Sequence, residues 1–334
     1  MVRHRYTAAA VLSLVLVVGA AACGDDDGSK VRDSGCEPAS DQASGSASAP
    51  ASGSGSSAGA GSNCDEQGAG AGSGSGIGDE VDGSQTDNAL VLSALDDYSG
   101  YVSQQVDDTI AATTVFTDAV RAGDLEAAKA AYAPSRQGWE RIEPIAGLVE
   151  EIDGSVDARV DDFAGVDDPA FTGWHRLEYL LWSQNTTSGA APFADQLDAD
   201  LQTLKTELAD IEIPPAALAV GSSELIEEVS TGKITGEEDR YSGTDLWDFA
   251  ANVEGSEQAF QLLVPALAEE DPDLVSDIEA EFAELEAQLA VYADGAGGYQ
   301  PYSALTDADK TAMQTTLASL SEDLSTMAGV LGLE

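Results

Sequence analysis

The chain has 334 residues and a formal net charge of −47, with 14 lysines and arginines against 61 aspartates and glutamates. This balance excludes nucleic-acid binding, which needs basic side chains to neutralise phosphates, and electrostatic attachment to an anionic membrane surface. An acidic surface concentrates cations, although such acidity is also typical of proteins that simply stay soluble. Alanine-rich sequence with few β-branched runs favours helices over strands.

The first 23 residues have the pattern of an export signal. Basic residues open it, and residues 8–22 form an apolar stretch too short for a comfortable membrane span. Small residues then lead to Cys23, which resembles the lipidation site of bacterial lipoproteins except at Ala20, where leucine or valine is usual. We predict a signal peptide over 1–23, lipidation of Cys23 and a location on the outer face of the cytoplasmic membrane. An ordinary signal peptide is the alternative.

Residues 24–85 are dominated by glycine, serine and alanine. Such sequence buries too little apolar surface to offset the entropy lost on ordering, so it predicts a disordered tether. Cys36 and Cys64 lie in this stretch. They are candidates for a disulfide in an exported protein, and they lack the C-x-x-C spacing of a metal site.

Residues 86–334 carry amphipathic helical stripes. Val102, Val106 and Ile110 begin the first, and Gly123 with Asp124 ends it. A second stripe consists of Leu274, Ile278, Phe282, Leu285, Leu289 and Tyr292. A third consists of Met313, Leu317, Leu320, Leu324, Met327 and Leu331, preceded by Thr306 as a helix cap.

The pattern predicts seven or eight helices and no strand. Loops are expected near 150–170, 185–193, 232–243 and 293–305. We therefore predict an all-α domain over 86–334, built as one helix bundle or as two side by side.

After removal of the signal, His175 is the only histidine. A single histidine excludes H-E-x-x-H proteases and zinc sites with two or three histidine ligands. No C-x-x-C-H haem attachment is present, and no G-x-S-x-G element stands in the folded domain.

The sequence around His175 permits a metal site. Glu178 lies three residues later, so both side chains share one helix face, about 5–6 Å apart. Other carboxylates precede and follow this helix: Glu140, Glu143, Asp157, Asp161, Asp162, Asp245, Asp248 and Glu254. One imidazole with several carboxylates suits hard cations such as Ca²⁺, Mg²⁺, Mn²⁺ and Fe³⁺. The alternative is an ordinary histidine–glutamate pair among solvated acidic groups.

The G-x-H-x-x-E stretch formed by Gly173, His175 and Glu178 resembles the signature of the imelysin-like (peptidase M75) family. The runs AVRAGDLEAAKAAYAPSRQGWERIEPIA, DARVDD and YSGTDLWDFAANVEG are similar to its EfeO/EfeM branch, and the resemblance covers roughly 90–334. It implies two related four-helix bundles with the motif near their junction. It also implies an extracytoplasmic component of an iron uptake system, working beside an iron permease and a haem-containing peroxidase-like partner.

Carried over by position, the resemblance makes His175 and Glu178 the leading ligands for Fe³⁺, Fe²⁺ or another divalent metal. Glu140 and Asp161 come next, and Glu143, Asp157 and Asp245 are weaker candidates. Two departures matter: the tether stands where relatives carry a cupredoxin domain, and Gly243 stands where we expect a histidine.

Three functions are compatible with the sequence. The first is a lipid-anchored iron-binding component that is not an enzyme. The second is a metal-free surface scaffold, which would need an exposed apolar patch. The third is a metallopeptidase, which the family's label suggests and the single histidine disfavours.

Overall fold

The computed structural model of the protein describes Val81 and residues 84–333. The predicted signal peptide, Cys23, the tether up to residue 80, Cys36 and Cys64 lie outside the described residues. Val81 is fully buried, and the Ser84 hydroxyl accepts a hydrogen bond from the Ala216 N–H at 3.1 Å. The last residues of the predicted tether therefore lie against the helical domain.

The N-terminal half is a bundle of three long helices and two short ones. In chain order these are α1 (Ala89–Ala122), α2 (Leu125–Glu140), α3 (Glu150–Val156), α4 (Gly173–Glu178) and α5 (Ala191–Asp210). A 3₁₀ helix, Glu143–Val149, joins α2 to α3, and a short one spans Val160–Asp162. Helix α1 packs against α2 and α5, and α4 lies against both α2 and α5. The short α4 thus takes the fourth place in the bundle.

The C-terminal half is a second four-helix bundle. Its helices are α6 (Ala217–Thr231), α7 (Asp245–Glu270), α8 (Pro272–Ala290) and α9 (Asp307–Ser325), followed by α10 (Met327–Leu331). Short 3₁₀ helices span Lys233–Thr235 and Tyr302–Ala304. Helices α6 and α8 each pack against α7 and α9, which closes the bundle. The buried face of α8 includes Ile278, Phe282, Leu285 and Leu289, as its stripe predicts.

Both bundles and the all-α class are confirmed, since residues 84–333 contain no strand beyond one isolated bridge between Ala293 and Tyr299. Helix α1 ends at Gly123 (φ +75°), and Thr306 caps α9 through its pairing with Asp309. The loop predicted near 150–170 was wrong in part, because α3 begins at Glu150. No helix in the described part of the chain is long and apolar enough to cross a membrane.

The two bundles meet where the connection after α2 runs between α6 and α7. A β-carbon on Gly221 of α6 would lie 1.8 Å from the Pro144 carbonyl oxygen. One on Gly255 of α7 would lie 2.2 Å from the Arg141 carbonyl oxygen. Only glycine permits this approach of helix to backbone. The contact fixes Glu140 and Glu143 in the interior, beside the start of α7.

Candidate metal site

His175 lies at the junction of the bundles, surrounded by four carboxylates and 2% exposed. Its Nε2 is 3.4 Å from Asp157 Oδ1 and 3.4 Å from Glu238 Oε1. Its Nδ1 is 3.4 Å from Glu178 Oε2 and 4.0 Å from Asp239 Oδ1. We call these five residues the His175 cluster. Each ring nitrogen forms a group with two carboxylates whose donor atoms lie within 4.8 Å of one another.

The backbone around Gly173 brings His175 to Asp157. Gly173 has φ +72°, and a β-carbon there would lie 2.1 Å from the Val156 carbonyl oxygen. Because α4 begins in direct contact with the end of α3, its first turn points His175 at the residue that follows α3. A π-helical turn, Tyr179–Ser183, continues α4, and such turns occur often at functional sites.

Arg136 of α2 supplies one positive charge to this interior, and its side chain is fully buried. It donates hydrogen bonds to Asp157 and Glu140, to Glu238 at 3.1 Å and to Asp248 at 3.2 Å. Asp157 and Glu238 therefore each have a permanent cation beside them before any metal binds.

Lys233 supplies a second buried positive charge. Its Nζ is 2.7 Å from both carboxylate oxygens of Glu143 and 3.1 Å from Glu140 Oε2. The Asn252 amide also donates to Glu140 and Glu143, at 2.9 and 2.6 Å. Glu140 and Glu143 are thus occupied by side-chain donors of the protein itself.

Buried acidic groups nevertheless outnumber buried basic groups in the described residues. Nine carboxylates are buried: Glu140, Glu143, Asp153, Asp157, Glu178, Glu238, Asp239, Asp245 and Asp248. The buried cationic side chains are Arg136, Arg159 and Lys233, with His175 as a titratable fourth. Buried charge is costly unless it is paired, so this interior must hold protons or bind a cation.

The pKa of His175 reflects this excess of buried carboxylates. Burial and the nearby Arg136 guanidinium lower this pKa, but hydrogen bonds with the carboxylates of Asp157, Glu178 and Glu238 outweigh them and raise it well above the ordinary value. This direction favours the protonated imidazole in the cation-free protein. A cation that binds its nitrogen must displace that proton.

Several buried carboxyl groups have raised pKa values, which favour their protonated forms. Burial raises the pKa of Asp153 to about 9 and that of Asp245 to about 7. Burial also raises the pKa of Asp248 well above its ordinary value, and raises that of Glu178. Burial opposes ionisation of Glu238 as well, but Lys233 and the other cations hold its pKa well below the usual range.

We expect the cation-free protein to lose stability as the pH rises from 5 to 9. The folded state keeps protons on Asp153 and Asp245 that the unfolded chain releases near pH 4, so each rise in pH through their folded pKa values favours unfolding. The raised pKa of His175 acts in the same direction above pH 6.5. Glu238, whose pKa is lowered, has the opposite sign and destabilises only in acid. Thermal unfolding of chelator-treated protein at pH 5.5 and 8.5 measures the difference.

Asp153→Asn is the matched control for this experiment, because it keeps the shape of the side chain and removes its titration. The variant should show a smaller loss of thermal stability between the two pH values. A higher midpoint at pH 8.5 than at pH 5.5 in the parent protein would contradict the assignment of protonated buried carboxyls.

The structure places some of the metal ligands predicted from the sequence in the His175 cluster and others outside it. His175 and Glu178 lie in the cluster, and Asp157, a weaker candidate, joins them. Glu140 lies beside the cluster, held by Arg136 and Lys233.

The remaining candidates lie further out. Asp161 is outside the cluster: its side chain is 65% exposed and pairs with Arg240. Asp245 is buried, and its Oδ1 accepts a hydrogen bond from the Asp239 N–H. Gly243 has φ +70° and open space around its β-carbon position.

Sequence reasoning missed Glu238 and Asp239. They stand in the run GEEDR, more than sixty residues after His175, in a stretch expected to be a loop. Adjacent acidic residues do not stand out as candidate ligands in a chain with 61 aspartates and glutamates. Their position directly before the run YSGTDLW was the only local signal.

Comparison with known proteins agrees with this architecture. A family model described as imelysin, peptidase M75, matches residues 94–327. The chain belongs to the imelysin family. It is 47% identical over 255 residues to the iron uptake system component EfeO of Escherichia coli O157:H7, which covers 76% of this chain and 68% of the relative. The EfeO proteins of Escherichia coli K12 and Shigella flexneri are each 46% identical over the same length and the same shares.

Proposed function

We propose that this protein is an extracytoplasmic, lipid-anchored component of an iron uptake system, and that it captures iron at the His175 cluster. The observation that carries the proposal is one buried imidazole among four buried carboxylates, in an interior with more acidic than basic groups. The iron uptake function printed for the EfeO relatives supports it. The resemblance adds an iron permease as the recipient and a haem-containing peroxidase-like protein as a second partner.

The charges around the cluster favour the Nδ1 side of His175 as the iron site. Arg136 contacts Asp157 and Glu238 directly, and Arg159 lies 2.9 Å from Glu238. Arg136 Nε is more distant from Asp239, at 3.9 Å, so the carboxylates on the Nε2 side are more strongly compensated. A metal-bound histidine usually donates its other N–H to a carboxylate. With Nε2–H directed at Asp157 and Glu238, Nδ1 faces Glu178 and Asp239. We therefore propose His175 Nδ1, Glu178 and Asp239 as the ligands.

A carrier function fits this site better than peptide hydrolysis. Catalytic metal sites keep a position open for water and substrate. All five residues of the His175 cluster are buried. A closed, oxygen-rich site suits a hard cation held as cargo, so we propose a binding component and not an enzyme.

The scaffold alternative finds little support in the surface. The exposed large apolar side chains of the described residues are Leu92, Val115 and Val291. Leu92 and Val115 are 23 positions apart on α1, which is roughly 35 Å along a helix. They are too far apart to share one patch.

Calorimetric titration of the purified protein tests the proposal. We expect one saturable site for Fe³⁺ supplied as a soluble chelate or for Fe²⁺ without oxygen, with Zn²⁺ and Ca²⁺ as competitors. Binding should release protons, because the raised pKa of His175 favours a proton that the cation must displace. Weak binding at many sites, without proton release, would mean that the acidity only solvates the surface.

A further inference from the structure

The buried site needs a route for its cation, and the chain segment 236–243 covers it. This segment begins and ends with glycines at positive φ, Gly236 at +82° and Gly243 at +70°. It contains Glu238 and Asp239, two of the four carboxylates around His175. We call it the covering segment. Any displacement of it removes ligand atoms from the cluster.

Contacts with α4 and with the chain after α3 hold the covering segment in place. The N–H groups of Tyr241 and Ser242 donate to Glu178 Oε1 at 2.9 and 2.7 Å. The Arg240 guanidinium pairs with Asp161 across the surface, with the two side chains 31% and 65% exposed. Glu178 thus has one oxygen on the segment and the other directed at His175.

Tyr302 fixes both ends of the covering segment. Its hydroxyl donates to the Ile234 carbonyl oxygen at 2.9 Å, just before the segment begins. Its N–H donates to the Gly243 carbonyl oxygen, also at 2.9 Å, where the segment ends. The ends are therefore anchored to one residue. The inner side of the middle is held by buried contacts of Glu238 with Arg136 and Arg159 and of Asp239 with Tyr132, and its outer side by Glu178 and the Arg240–Asp161 pair. This arrangement allows the middle to open while the ends stay in register.

We propose that the covering segment is a lid over the His175 cluster, and that the Arg240–Asp161 ion pair is its latch. The pair acts as a positioning pair, since it contacts no ligand atom and works through the lid that carries Asp239. The proposal rests on the proposed function, because it sets the rate at which the cation enters and leaves. Asp161, chosen from sequence as a ligand, takes the role of latch instead.

The latch should affect rates and leave affinity nearly unchanged. Because the pair contacts no ligand atom, we expect it to form equally with and without the cation, so that its contribution cancels from Kd. A partly exposed ion pair contributes about 0–1 kcal/mol, which corresponds to up to about a fivefold change in opening. Arg240→Gln and Asp161→Asn should therefore raise the association and release rates together, by about two- to fivefold.

Stopped-flow measurement of Fe³⁺ uptake from a citrate chelate, and of release to excess EDTA, gives both rates. Tryptophan fluorescence is a suitable signal, since the Trp139 indole donates to Asp157 at 2.9 Å. The charge-swapped double variant Arg240→Asp/Asp161→Arg should return both rates toward those of the parent. Salt should speed exchange in the parent and have little effect in Arg240→Gln, because screening weakens exposed pairs.

A matched control is Lys205→Gln, which breaks the Lys205–Asp107 pair, whose side chains are both 51% exposed. This variant should leave the exchange rates unchanged. If Arg240→Gln or Asp161→Asn raises only the release rate and worsens Kd in proportion, the pair helps to hold the cation and the latch is refuted. Unchanged rates in both variants refute it as well.

Amide hydrogen exchange separates failure of the lid from failure of the proposed function. In the cation-free parent, the N–H groups of Tyr241 and Ser242 are protected by Glu178. Arg240→Gln should speed their exchange by the same two- to fivefold, whether or not iron binds. A parent that binds no iron while its variant shows faster exchange would refute the iron carrier and keep the lid. Iron binding with unchanged amide exchange would do the reverse.

Discussion

Replacing His175 with glutamine is expected to weaken iron binding by at least about 100-fold. Loss of a partner that only orients a metal ligand typically costs 10- to 100-fold in affinity, and loss of the single nitrogen ligand should cost more. Glutamine fills most of the space of the imidazole but cannot supply a basic nitrogen. Calorimetric titration of parent and variant with the same ferric chelate measures the loss.

Glu178→Gln is the second variant in this series. Its amide oxygen can still accept from the Tyr241 and Ser242 N–H groups, so the covering segment keeps its contact while the ligand charge is lost. We expect affinity to fall strongly here also. Glu279→Gln, an exposed carboxylate on α8, is the control and should bind as the parent does. Equal affinity in all three variants would refute the site.

Two further variants, Asp239→Asn and Asp157→Asn, show which nitrogen of His175 binds the iron. If iron binds on the Nδ1 side, Asp239→Asn should match the loss seen with Glu178→Gln. Under the same assignment, Asp157→Asn should have a smaller effect, because Asp157 would only orient the ring. The reverse order would place the iron on the Nε2 side, with Asp157 and Glu238 as ligands.

Most of the fold could be predicted from the sequence, because the apolar periodicity of a helix is a local pattern. The stripe from Met313 to Leu324 lies buried in α9 as predicted, and Thr306 caps the helix. The exception was α3, whose seven residues are mostly acidic or small and include only Ile152 and Val156 as large apolar side chains. So short a helix depends on its packing against α4 and α5, which no local pattern records.

The site was accessible only in part, for an electrostatic reason. The spacing of His175 and Glu178 placed them on one face of a helix, and the structure has their side chains 3.4 Å apart. Glu238 and Asp239 reach them through the tertiary fold, and their acidity does not distinguish them from solvated neighbours. The few basic residues were a better indicator of the acidic interior. A chain with only 14 lysines and arginines buries Arg136 and Lys233 completely, and both lie against its acidic interior.

The small number of buried basic residues suggests that the buried carboxylates have two different roles. Arg136 and Lys233 neutralise carboxylates permanently, and they hold Asp157, Glu140 and Glu143 in place. The carboxylates on the Nδ1 side of His175 are less closely compensated, with Arg136 Nε 3.9 Å from Asp239. Under the proposed function, a cation taken from solution would complete this charge balance, and protons would take its place in the cation-free protein.

The second large effect is expected from Arg136, which we predict to be the residue of this interior least tolerant of change. Arg136→Met should destabilise the cation-free protein by about 3–5 kcal/mol, because it leaves Asp157 without its buried guanidinium and removes one of the two cations beside Glu140. Arg136→Lys keeps the charge but cannot reach all of its partners at once, so its loss should be intermediate. Urea unfolding of chelator-treated protein measures these differences.

Arg121 provides a control of the same chemistry at the surface. It also binds three carboxylates, Asp118, Asp195 and Asp198, but its side chain is 30% exposed. Arg121→Met should therefore cost only about 0–1 kcal/mol. If the two methionine variants lost equal stability, burial would not be what makes Arg136 important. If added Fe³⁺ restored part of the stability of Arg136→Met, the incoming cation and the guanidinium would be shown to balance the same carboxylates.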